Sequence, residues 1–92
     1  MIEKVEISKG AKKNLKSVPQ QIFRKLMSWV GAVEKSGIEE VRKIPGYHDE
    51  PLFGDRKGQR SIRLNLNWRA IYIIKSNGVE FVEVQEVNKH DY

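Results

Sequence analysis

At 92 residues the chain is long enough for one hydrophobic core and too short for two, so a single domain over residues 1–92 is expected. With no cysteine and only His48 and His90, it excludes disulfides and thiolate metal sites and leaves too few ligands for structural zinc; no cofactor is implied. A net charge of +5 and a pI near 9.6 favour polyanionic partners, and the absence of a long apolar run or signal-peptide pattern predicts a cytoplasmic protein without a membrane partner.

Ile2, Val5 and Ile7 alternate imperfectly with charged residues and predict a short strand. Ser8 can cap a helix over residues 9–16. Pro19 breaks it and suits the first turn of a second helix running from Gln20 to Ser36. There Ile22, Leu26, Trp29, Val30 and Val33 recur at helical spacing, a stripe for core packing. Ser36-Gly37 ends it. Residues 38–44 predict a short helical connection, and Pro45 to Pro51 a loop. Gly54 and Gly58 hold turns around Asp55-Arg56-Lys57.

The second half predicts three antiparallel strands. In Ser61 to Leu66, Ile62, Leu64 and Leu66 face one side while Ser61, Arg63 and Asn65 face the other. Trp68 to Ile74 has the apolar density of a strand buried in mid-sheet. Asn77-Gly78 signals a two-residue hairpin turn. In Val79 to Val87, Val82 and Val84 point one way, and Phe81, Glu83 and Gln85 the other. The fold class is therefore α+β, in the order β-α-α-β-β-β, with an antiparallel sheet covered on one face by two N-terminal helices.

Charge is not spread evenly along this half. Arg56, Lys57, Arg60, Arg63, Arg69 and Lys75 follow Asp55 with no acidic residue before Glu80. Like charges on neighbouring strands repel, so a bound anion would favour the cluster; a solvated basic surface is the plainer reading. Arg69 opens an apolar strand and needs water, a phosphate or a carboxylate such as Glu83 or Glu86. Glu50 leads into the basic run as either general base or counter-ion. His90, Asp91 and Tyr92 offer proton-transfer groups in a tail that could equally be solvated. Neither glycine spacing nor a serine-histidine-acid set points elsewhere. Arginines with a histidine, a tyrosine and a carboxylate suit RNA cleavage by 2′-OH attack on the adjacent phosphate without a metal.

Glu50-Pro51-Leu52-Phe53-Gly54-Asp55, Gly58 to Arg63, Asn67-Trp68-Arg69-Ala70-Ile71-Tyr72 and the closing His90-Asp91-Tyr92 resemble the RelE/ParE toxin superfamily, and most of all its HigB and YoeB-like mRNA interferases. The resemblance implies a RelE-like fold and an endoribonuclease that enters the ribosomal A site and cuts mRNA. It implies a cognate antitoxin of helix-turn-helix type, through which alone the toxin would reach operator DNA. Arg69 matches the arginine that stabilises the scissile phosphate, Glu50 the general-base position and Tyr92 a C-terminal catalytic tyrosine. His90 and Asp91 fall where relatives carry histidine or aspartate. Arg56, Lys57, Arg60 and Arg63 are the expected RNA contacts. Phe53 departs from the pattern, because relatives have lysine there; Arg56 or Lys57 would have to supply that charge. A ParE-like DNA gyrase inhibitor and a non-catalytic RNA-binding domain are the competing readings.

Overall fold

Ser8 starts the first helix as the sequence predicts. Its backbone is extended, and its hydroxyl accepts the Ala11 N–H at 3.0 Å. A computed structural model describes residues 1–89, and in it β1 (Val5–Ile7) leads through Ser8 into α1 (Lys9–Leu15). α2 (Gln20–Ser36) follows, with Pro19 immediately before its first turn, and Gly37 at φ +85° ends it. α3 (Ile38–Val41) is one short turn. The strands are β2 (Glu50–Pro51), β3 (Arg60–Arg63), β4 (Trp68–Ser76) and β5 (Glu80–Lys89).

The α2 stripe is buried as its spacing requires. Ile22, Leu26, Trp29, Val30 and Val33 share one core with Ile62, Ala70, Tyr72, Val82, Val84 and Val87 of the sheet. The Trp29 and Tyr72 rings meet at 5.3 Å between centroids, tilted by 44°. α1 is fastened to β5 through Asn14, whose side-chain oxygen accepts the Val87 N–H at 3.0 Å.

The sheet has five strands in the order β1-β5-β4-β3-β2. Four departures from the sequence reading shape it. First, β1 runs parallel to β5, so the sheet is mixed. The Val82 N–H donates to Lys4 O at 2.8 Å and the Ser8 N–H to Val84 O at 2.9 Å, pairings too distant in sequence for local pattern to reveal. Second, Glu50-Pro51, expected in a loop, pairs antiparallel with β3 as an edge strand. Third, β3 stops at Arg63, and Leu66 is 74% exposed instead of facing the core. The Asn65 side-chain oxygen accepts the N–H groups of Asn67 and Trp68 at 2.7 and 2.9 Å, and this local turn outcompetes the ladder. Fourth, Ser76 lies opposite Glu80, so the hairpin loop has three residues, 77–79, with Gly78 at φ +103°.

One irregularity matters for the exposed face. Ile71 pairs with Glu86 but Tyr72 pairs with Val84, leaving Gln85 as the extra residue of a β-bulge. The bulge keeps Val84 and Val87 on the core side although they are three apart, and turns Glu86 to the side of Glu83.

Candidate active face

Side chains directly opposite in an antiparallel pair share a face, so the register maps the side of the sheet away from the helices. One row across it reads Glu50, Ser61, Ile71, Glu86. The adjacent row reads Arg63, Arg69, Asn88. Glu50 and Arg69 come from rows that adjoin, and the Arg69 guanidinium lies 3.9 Å from the Glu50 carboxylate. Arg69 is 21% exposed in its side chain against 59% for Glu50, so the arginine is seated and the carboxylate reaches in from the edge.

The alternative partners weighed for Arg69 are otherwise engaged. Glu83 pairs with Lys75 at 3.1 Å, and Glu86 pairs with Arg56. Arg56 also donates to the Gln59 side-chain oxygen at 2.8 Å, and Gln59 donates in turn to Gln85. The turn between β2 and β3 is thus fastened across β4 onto the bulge of β5. Beneath it Ile71 is buried, although it lies on the side without helices. Among the described residues Arg63 and Lys57 have no carboxylate within ion-pairing distance. Arg69 beside the Glu50 carboxylate, with Arg63 opposite Arg69 in the adjoining row, gives a surface on which a phosphate can be neutralised and a hydroxyl deprotonated.

Arg60 is placed elsewhere. It stands three residues before Arg63, so strand alternation sends it to the opposite face, where its Nε donates to the Asp49 carboxylate at 2.6 Å. Grouping Arg60 with Arg63 and Arg69 on one surface is therefore corrected. The Asp49 side chain is only 1% exposed and also accepts the Tyr72 hydroxyl at 2.5 Å. Burial, then the hydrogen bond to Asp49, pushes the Tyr72 phenol well above its usual range, against an opposing pull from Arg42. The Arg60 guanidinium loses to burial but gains more from Asp49, and its pKa rises. Sequence reasoning passed over Asp49 entirely. The signal was there in the odd spacing of Arg60 and Arg63, which forces one arginine inward and obliges it to find a buried acid.

His90, Asp91 and Tyr92 lie outside the described residues. Phe53, at the position where a lysine was expected, is 81% exposed at the start of the turn. Among the described residues there is no cluster of three or more metal-ligating side chains, and no helix is long and apolar enough to cross a membrane.

No family model matches this chain, and no curated protein matches it significantly by sequence. Solved structures do match its fold. A YoeB/ParE toxin from Agrobacterium tumefaciens superposes with a TM-score of 0.70 at 18% identity, covering 96% of this chain and 99% of that one. The toxin–antitoxin complex RelBE2 from Mycobacterium tuberculosis gives 0.70 at 18% identity, with 98% and 100% covered. The DinJ–YafQ toxin–antitoxin complex of E. coli gives 0.73 at 21% identity, with 97% and 94% covered. Its structural neighbours are RelE, ParE, YoeB and YafQ toxins, matched over nearly their whole length, and the fold of this chain is the RelE-like α+β fold.

Proposed function

We propose that this chain is the toxin of a type II toxin–antitoxin system and an endoribonuclease that cuts mRNA in the ribosomal A site. The observation that carries the reading is the meeting of Glu50 and Arg69 on the face of the sheet that the helices leave open. In this reading Glu50 takes the proton from the 2′-OH of the nucleotide upstream of the cut. The freed oxygen attacks the adjacent phosphorus, and Arg69 neutralises the charge that builds on the phosphorane oxygens. The P–O5′ bond then breaks, leaving a 2′,3′-cyclic phosphate, and the departing 5′-oxygen takes a proton from Tyr92, with His90 and Asp91 assigned to the same proton-transfer set. Arg56, Lys57 and Arg63 grip flanking phosphates. Arg60 is reserved for Asp49. A cognate antitoxin of helix-turn-helix type is the expected partner, silencing the toxin and linking it to operator DNA. Support comes from the antitoxins bound to the RelBE2 and YafQ toxins of the same fold.

Induced expression tests the reading. The wild-type chain arrests growth and yields codon-aligned mRNA ends by primer extension. Arg69→Ala and Glu50→Gln lose the arrest while keeping the wild-type circular dichroism spectrum. Loss of the base lowers cleavage by roughly 10²–10⁴-fold. Full toxicity in both variants would refute the assignment. Arrest without codon-aligned ends would favour gyrase as the target, and RNA bound but left intact would favour a binding domain.

A further inference from the structure

β2 is a poor strand by every local measure. It has two residues, both exposed, at the edge of the sheet. Pro51 has no N–H to offer the ladder, and His48, two residues before the strand, holds a left-handed φ of +45°. Its ladder to β3 consists, among the described residues, of the Glu50–Ser61 and Pro51–Arg60 pairs, extended by the Leu52 N–H to Gln59 O bond at 2.9 Å. Yet Glu50 must be held steady near Arg69 if it is to work as a base, since small misplacements of reacting groups are expensive.

The missing restraint is one residue upstream. The Asp49 carboxylate is buried, with one oxygen accepting from Tyr72 and the other from Arg60 at 2.6 Å. Tyr72 belongs to the central strand and is itself wedged against Trp29 of α2. Arg60 is the residue opposite Pro51. Because successive side chains of an extended chain point to opposite faces, fixing Asp49 inward fixes Glu50 outward. We infer that Asp49, held by Tyr72 and Arg60, is a positioning residue that locks the edge strand and so presents the Glu50 carboxylate to Arg69. The inference rests on Glu50 acting as the base proposed above. It makes the helix-covered face of the sheet responsible for geometry on the open face, through a single reversal of side-chain direction between neighbouring residues.

The test uses the full chain with ribosomes carrying mRNA, and the variants Asp49→Asn, Tyr72→Phe and Glu50→Gln with the double variant Asp49→Asn/Glu50→Gln. Single-turnover cleavage at saturating ribosome should fall on the order of 10–100-fold in Asp49→Asn and Tyr72→Phe, while the ribosome concentration for half-saturation stays put. In the double variant Asp49→Asn should add no loss beyond that of Glu50→Gln, because it acts only through that carboxylate. Amide exchange at Leu52 and Ser61 should quicken in both single variants while Val82 and Val84 remain protected. Wild-type cleavage in Tyr72→Phe, which removes one hydroxyl and keeps the ring, overturns the inference. So does a multiplicative loss in the double variant, or exchange that quickens throughout the sheet. A wild-type chain that cuts no mRNA would defeat the proposed function instead, and exchange at Leu52 and Ser61 would still decide whether Asp49 anchors β2.

Discussion

Tyr72 carries its hydroxyl into the layer between sheet and helices, and the proton there is part of the fold. Burial first, and then the bond to Asp49, raises its pKa above the ordinary 10.0. A raised folded-state pKa gives stability that is fully present below the unfolded value and is lost as pH climbs towards the folded one. Thermal melts of the wild type should therefore fall more steeply above about pH 10 than those of Tyr72→Phe, which has no proton there to lose. At neutral pH the variant should be the less stable by about 1.5–3 kcal/mol, the range for losing a hydrogen bond to a charged group. Convergence of the two melting curves at high pH is the expected outcome, and parallel curves would contradict it. Arg42, which pulls the Tyr72 pKa the other way, has its Nε buried without a hydrogen-bond partner among the described residues.

At the scale of elements, the turn between β2 and β3 closes on its own backbone hydrogen bonds, such as Lys57 N–H to Gly54 O at 3.1 Å, and is fastened to the sheet by side chains. Arg56 to Glu86 and Gln59 to Gln85 fasten it across β4. Both members of the ion pair are more than a third exposed, so Glu86→Gln should lower stability by less than about 1 kcal/mol. The same substitution should loosen the turn and hasten tryptic cutting after Arg56 and Lys57; an unchanged rate of cutting would show that the turn holds without the pair. Helices and central strands were legible in the sequence because their signals are local. The Ile22, Leu26, Trp29 and Val33 stripe and the Ser8 cap each lie within a few turns of chain. β2 was not legible, since a two-residue edge strand exists only when β3 is beside it. Leu66 misled because alternation continues past the point where the Asn65 side chain takes over the backbone. The candidate site was half legible. Glu50 and Arg69 were named through the resemblance and by their isolation, but their proximity needed the β2–β3–β4 register, and Asp49 needed the bulk of the opposite layer.

For the whole molecule, the arginines of β3 and β4 are divided between the two sides of one sheet. On the open face Arg63 has no carboxylate partner among the described residues and is available to a polyanion, whereas Arg60 is committed to Asp49 on the other side. Binding to single-stranded RNA should weaken with salt, and Arg63→Gln should lower the slope of log K against log salt by about 0.7, one phosphate contact. Arg60→Gln should leave that slope unchanged while lowering the melting temperature. Equal effects of the two on the slope would mean that RNA reaches both faces. The placing of β1 beside β5 bears on something else, the order in which the protein is made. Synthesis delivers β1 first and its partner last, and Val82 and Val84 must emerge before Lys4 and Ser8 have anything to bond. Until then β4 also lacks a neighbour on one side, so the sheet forms late and with distant contacts. A chain built in this order completes the sheet, and with it the proposed working surface, only once β5 has left the ribosome that makes it.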